Sequence, residues 1–265
     1  AAWKYVIYGG TSSAFLLFGM SYLYGLTGTT SLARMSGNLA VVYTNNHEML
    51  LYLGFFFVLV GIGFKIAAVP FHMWAPDVYQ GAPITVTTFL SVVSKIAGFA
   101  FALRLLTSIF SNDVLQPVLL QIIIPALLVI SVLSMVGGNV IALKQFNLKR
   151  MLAYSSIGHA GYMLVAIISI LLGGQTEAFS SLYYYFVAYL FASTGVFAIL
   201  QTIAKDRGSD RRILSGLHKR SPFLAFCLSV FLLSLAGIPF TAGFIGKFTI
   251  LVDAFGNSLY WLAGM

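Results

Sequence analysis

Seven long apolar runs alternate with short polar connections along this chain. They cover approximately residues 4–25, 49–75, 84–107, 115–141, 150–172, 178–203 and 221–254, here runs A to G. Each is long enough, at about 1.5 Å per helical residue, to cross about 30 Å of hydrocarbon. Runs apolar on every face are the expected elements of a membrane interior. The connections carry Gly, Asn, Pro and charge, as turns do. The longest is KDRGSDRRILSGLHKRSP, residues 205–222. The pattern predicts an all-α polytopic membrane protein, one transmembrane unit over residues 1–265. Runs B and G are predicted to be discontinuous, because Pro70 and Pro239 interrupt them.

Three lysines violate the pattern. Lys65 precedes Pro70 in run B, Lys95 sits near the middle of C, and Lys247 follows Pro239 in G. A lysine at membrane depth costs at least about 2.5 kcal/mol, so it is expected to have a function or a route to the interface. Lys65, about 24 Å into its run at 1.5 Å per residue, could snorkel, whereas Lys95 is too central to do so easily. A proline break frees backbone polar groups, tolerated only where protein or water takes them up. Charge beside a break, twice, points to a polar pathway. B and G run in opposite directions, with the lysine first in B and the proline first in G. That layout fits an inverted repeat, though the two halves share little residue identity.

Composition agrees with lipid as the surroundings. The chain is 59% hydrophobic and 8% charged, against about 25% charged in a soluble domain. The net charge of +8 does not indicate nucleic acid, because the positive residues collect in short loops. If the start of A faces the cytoplasm, that side holds Lys4, Lys144, Lys149, Arg150, Lys205, Arg207, Arg211, Arg212, Lys219 and Arg220. The other side holds Arg34 and Arg104. This bias places loops 144–150 and 205–220 in the cytoplasm. Their charges are read as topogenic, or in the longer loop as a docking surface.

Other polar residues extend the pathway. On run E, Ser155, Ser156, His159 and Tyr162 fall near one helical face, with Tyr154 adjacent. Such a face can carry protons or make an interhelical hydrogen bond; the pathway reading is preferred. His72, just after Pro70, either lines the route or marks the interface. Asp77 is expected to cap helix C, or else to gate the pathway. The one cysteine, Cys227, is read as core packing and permits no intrachain disulfide or zinc site. No nucleotide, flavin or metal motif is present. The non-Met start and the terminal SLYWLAGM read as an internal piece of a longer protein.

Four segments carry a resemblance: FKIAAVPFHMWAPDVYQGAP (64–83), FLSVVSKIAGFAFALRLL (89–106), NLKRMLAYSSIGHAGYMLV (147–165) and LSLAGIPFTAGFIGKF (234–248). Together they resemble the antiporter-like subunits of respiratory complex I, the bacterial NADH–quinone oxidoreductase, and most closely its subunit N branch. The resemblance implies a fold of about fourteen helices, of which these are the sixth to the twelfth. It implies that Lys65, Lys95 and Lys247 belong to a central proton relay, with His159, His72, Tyr154 and Ser155 as further relay candidates. A partner glutamate on the preceding helix would lie before Ala1. Gln80 stands where the family often has glutamate, which argues against an ionisable group there.

The implied protein is a multi-pass subunit of the bacterial inner membrane. Its partners would be antiporter-like subunit M, the small subunits of A, J and K type, and lipids. This chain would hold no cofactor; FMN, iron–sulfur clusters and quinone would sit in other subunits. Its part in the enzyme would be translocation without a redox site. The competing readings are an Mrp-type cation/proton antiporter subunit, a membrane-bound hydrogenase subunit, or a spacer that only transmits conformational change.

Overall fold

A computed structural model describes residues 1–45, 48–173, 176–204, 210–257 and 259. Among them the elements are helices apart from one isolated bridge, Asn147 with Asp210. Lys205, Asp206, Arg207 and the terminal stretch after Leu259 lie outside the described residues.

Run A is α1 (Ala2–Thr27), ended by Gly28 in the left-handed conformation that glycine adopts without strain. The A–B connection contains an unanticipated helix, α2 (Leu32–Thr44). It is too short to span, and its sequence LARMSGNLAVVYT mixes polar and apolar residues. It forms because Met35, Ser36, Leu39 and Ala40 pack inward and Ser36 Oγ donates to the Ile109 carbonyl at 2.7 Å.

Run B divides as predicted. Helix α3 (Glu48–Lys65) stops at the lysine, and α4 (Trp74–Gly81) resumes beyond Pro70. The Val69–Pro70 bond is cis, and Ala67 has φ 54°. The freed backbone groups find partners. Val69 N donates to Ser134 Oγ at 2.9 Å, and Trp74 Nε1 donates to the Phe64 carbonyl at 3.1 Å.

Run C was expected to be one helix over 84–107. It is two, α5 (Ile84–Ser91) and α6 (Val93–Ile109), joined at Val92. The Ser91 carbonyl accepts from Tyr189 Oη at 3.1 Å and marks the joint. That side-chain partner has no signature within run C itself. Run D starts with short turns, including α7 (Gln116–Val118), passes through a π-helical turn at Leu119–Ile123 and continues as α8 (Ile124–Leu143). Runs E and F are α9 (Leu148–Gly173) and α10 (Thr176–Ile203).

Run G follows a short α11 (Leu217–Arg220) and divides into α12 (Pro222–Ala236) and α13 (Ala242–Gly256). Gly237 ends α12 with φ 80°, and Phe240 has φ 72°. The Gly243 amide donates to Ser234 Oγ at 3.1 Å across the break. Among the described residues, six helical segments are long and apolar enough to cross a membrane, and run G is divided into two shorter helices.

Helix α9 is the centre of the bundle and buries most of its length. It presses against α8 through small residues. A Cβ on Gly138 would come within 2.6 Å of Gly158 N, and one on Gly161 within 2.7 Å of the Ser131 carbonyl. Such close backbone approach holds membrane helices together where no hydrophobic force separates protein from lipid.

Candidate functional site

The site is a polar band on α9 that meets a lysine at each end. Lys95, at the start of α6, is 1% exposed. Its ammonium donates to the Ser156 carbonyl at 2.6 Å and to Ser156 Oγ at 3.0 Å. A carbonyl that accepts a side-chain ammonium inside the bundle offsets part of the desolvation cost of the charge. Ser156 Oγ in turn donates to the Ala153 carbonyl at 3.0 Å.

One turn further along α9, His159 is also buried. Its Nδ1 lies 2.6 Å from Tyr185 Oη, and its ring centroid lies 5.1 Å from that of Tyr189. Both tyrosines project from α10. Two small voids flank the histidine, each of about 10 Å³. One lies among Ser155, Ser156, His159, Tyr189 and Ser193. The other lies among His159, Tyr185, Tyr189, Ser234 and Gly243. A void of that size is near the minimum for one water, although little polar surface faces either one.

Another turn along, the Tyr162 ring faces Lys247 Nζ, 4.9 Å from its centroid. Lys247 reaches back from α13 to the end of α12. Its ammonium donates to the carbonyls of Leu235 at 3.0 Å and Ala236 at 3.1 Å. These are among the last carbonyls of α12, which lack partners further along the helix. The negative end of the helix dipole favours a cation at the same place. The break therefore makes the lysine's binding site.

A cavity of about 620 Å³ joins Lys247, His159 and Ser155 to Asn139, Gln145 and Arg211. Arg211 lies in the basic F–G connection, its guanidinium 4.4 Å from the Phe146 ring centroid. The cavity thus runs from Lys247 and His159 toward the basic loops.

Lys65 stands apart. It is exposed and, among the described residues, makes no side-chain hydrogen bond. It lines a groove of about 290 Å³ with Tyr5, Ser13, Trp74 and Ser94. It is nonetheless a close neighbour of the Lys95 helix: a Cβ on Gly98 would lie 3.6 Å from Lys65 Cβ. His72 packs edge-on against Tyr154, with ring centroids 6.4 Å apart, and its buried Nδ1 has no hydrogen-bond partner. Ser155 lines both the large cavity and one void. Pro70 and Pro239 lie in the two breaks.

Asp77 corrects an expectation. It does not cap helix C, whose α5 begins after Pro83. It is paired with Lys4 of α1 and with Arg150 of α9, whose Nη1 donates to Oδ1 at 2.6 Å. The Lys4 hydrogen bond holds the Asp77 carboxyl below its ordinary value, against the opposing effect of partial burial. Arg150 Nη1 also donates to Gln80 Oε1 at 3.1 Å. Tyr185 and Tyr189 are the site residues that sequence reasoning missed. Tyrosine is common in membrane helices as an interfacial residue, and nothing in runs of YYYF or VAYL says which ring turns inward.

A buried lysine beside a helix joint and a half-buried lysine at a helix break, linked by a polar band inside an apolar helical bundle, define the class of a polytopic membrane protein with an internal polar site. The chain belongs to the membrane-spanning NADH:quinone oxidoreductase/Mrp antiporter family, whose model matches residues 1–265. It is 48% identical over 258 residues to NADH-quinone oxidoreductase subunit N of Anoxybacillus flavithermus, covering 96% of this chain and 51% of that protein. A chain of respiratory complex I from Thermus thermophilus superposes with TM-score 0.76 at 35% identity, covering 98% of this chain and 53% of that one. A chain of the Mrp complex from Dietzia superposes with TM-score 0.84 at 22% identity, covering 98% and 46%, a likeness of fold alone. The chain spans about half the length of the curated relatives it matches.

Proposed function

We propose that this chain is the relay-bearing part of a proton-translocating subunit of an NADH–quinone oxidoreductase, placed in the bacterial inner membrane. The observation that carries the reading is the α9 band, which connects the Lys95 ammonium through Ser156, His159 and Tyr162 to Lys247. Lysine suits this task because its ammonium gives up a proton when a low-dielectric site disfavours charge.

In this reading Lys65 receives its control from outside the chain. Its exposed head and the groove around it would face a carboxylate on a preceding helix. Withdrawal of that carboxylate would release the Lys65 proton toward Lys95. The proton would then pass by way of Ser156, one or two waters and His159 to Lys247. The cavity between Lys247 and Arg211 would connect that end of the relay to the aqueous side bearing the basic loops, assigned to the cytoplasm from the charge bias. Subunits of M, A, J and K type and lipids would surround the chain. FMN, iron–sulfur clusters and quinone would lie in other subunits, leaving translocation without redox chemistry here.

Sequence identity favours this reading over an Mrp-type antiporter, with 48% to a quinone oxidoreductase subunit against 22% to the Mrp chain. The test is proton pumping by the intact complex in vesicles, carrying Lys65→Met, Lys95→Met or Lys247→Met in the full-length subunit. Each assembled variant is expected to pump fewer protons per NADH oxidised. Undiminished pumping in all three would leave a conformational spacer as the better account. Sodium uptake that tracks NADH oxidation would instead favour the antiporter reading.

A further inference from the structure

Tyr185 of α10 touches both the relay histidine and the helix that carries the last lysine. It is 2% exposed, and its Oη lies 2.6 Å from His159 Nδ1. The same side chain packs against α13. A Cβ on Gly246 would come within 2.7 Å of Tyr185 Cδ2 and 3.4 Å of its Cα, so glycine is what admits the ring there. Gly246 directly precedes Lys247. One turn along α10, on the same face, Tyr189 fixes the helix. Its hydroxyl donates to the Ser91 carbonyl at the α5–α6 joint, and its ring lies 5.1 Å from that of His159.

The direction of the Tyr185–His159 hydrogen bond decides what His159 can do. A phenol donates or accepts, whereas a neutral imidazole donates from one nitrogen and accepts at the other. Among the described residues the Tyr185 hydroxyl makes no other hydrogen bond. The void beside it, lined by His159, Ser234 and Gly243, is about 10 Å³ and presents little polar surface. Were the imidazole the donor, the phenolic hydrogen would be buried without an acceptor, which is the costlier arrangement. Tyr185 therefore donates to Nδ1, and the neutral ring carries its own hydrogen on Nε2. Neither nitrogen is then an open acceptor, and His159 takes up no proton in this arrangement.

We propose that Tyr185 is a positioning residue that keeps His159 closed to protons until α13 moves. Gly246 sets where the Tyr185 ring stands, so a shift of α13 at the run G break turns the hydroxyl away from Nδ1. Nδ1 then accepts a proton, and the Nε2 proton leaves toward the cavity that His159 shares with Lys247. One proton enters the ring and one leaves, so His159 ends neutral and nothing is oxidised or reduced. With the break closed, protons do not pass His159 in either direction, as a pump requires.

This inference rests on the relay reading above, and the test separates the two. The intact complex is prepared in vesicles with Tyr185→Phe, with His159→Phe and with both. Protons pumped per NADH oxidised are measured first, then the decay of an imposed pH gradient without NADH. Tyr185→Phe keeps the ring and removes the hydroxyl, which leaves Nδ1 open. It is expected to assemble, to pump fewer protons and to let the gradient decay about fivefold faster, the equilibrium worth of one ordinary hydrogen bond. His159→Phe is expected to pump less with no added leak. The double variant is expected to leak no more than His159→Phe, because the leak runs through the histidine. A Tyr185→Phe complex that leaks no faster than the unaltered one overturns the proposal. A leak that persists in the double variant overturns it too, since that marks a packing defect. So does failure of Tyr185→Phe to assemble, which would make the hydroxyl a support of the fold. If His159→Phe pumps normally, the relay reading itself fails.

Discussion

Ser156 and Tyr162 lie about 9 Å apart along α9, at 1.5 Å per residue, and each meets a different lysine. Ser156 holds the Lys95 ammonium by its carbonyl and hydroxyl oxygens. Tyr162 presents its ring to Lys247. His159 stands between them, hydrogen-bonded to Tyr185. One helix thus joins cations supplied by α6 and by the broken run G.

Ser156→Ala should weaken the hold on protonated Lys95 without emptying the site. It removes the 3.0 Å hydroxyl acceptor and leaves the 2.6 Å carbonyl. A hydrogen bond to a charged group is worth about 1.5–3 kcal/mol. Pumping should therefore fall by roughly an order of magnitude or more, while thermal stability of the complex changes little. Lys95→Met should leave stability equal or higher, since an apolar side chain of similar volume often replaces a buried charge without penalty. Melting curves and pumping assays on the same preparations separate the two effects.

The break in run G makes a sharper structural prediction. A Cβ at Gly243 would fall 1.8 Å from the Ser234 carbonyl oxygen, which is backbone and cannot move aside. Gly243→Ala should therefore force α12 and α13 apart, costing roughly 1–3 kcal/mol or more, and lower the amount of assembled complex. Gly237→Ala should cost about 1–2 kcal/mol for its left-handed backbone and crowd Lys247 Cδ at 3.0 Å. Gly10→Ala, with nothing within 4 Å, is the control and should assemble normally.

The Asp77 clamp should respond to acid in one direction. Its carboxyl is held below the ordinary 3.8, chiefly by the Lys4 hydrogen bond. The folded state therefore binds that proton less tightly than the unfolded chain does. The stabilisation is fully present above 3.8 and is lost as pH falls through the lower folded value. Between pH 7 and pH 3 the intact complex should lose more thermal stability than its Asp77→Asn variant. Equal losses would show that the clamp contributes nothing there.

Much of this fold was legible because lipid imposes simple rules. Five runs, A, C, D, E and F, are single or nearly continuous spans close to their predicted bounds, and runs B and G break beside their prolines. The split at Val92 was not legible, because its sign is the Tyr189 hydroxyl on a distant helix. Helix α2 was hidden by its short, mixed sequence. Lys95, Lys247 and His159 were recognisable as polar intruders in apolar runs. Their partners were not: a carbonyl at a helix end has no letter of its own. Nor does the sequence show that Asp77 pairs with Lys4 and Arg150 across a separation of 73 residues in each case.

The most direct test of the account is His159→Phe in the intact complex. Phenylalanine keeps the ring volume but removes both nitrogens, leaving the band between Ser156 and Tyr162 without its central polar group. Protons pumped per NADH oxidised are measured on assembled complex. The account predicts a pronounced fall in that ratio with NADH oxidation retained or slowed only by coupling. An unchanged ratio would contradict a relay that runs along α9.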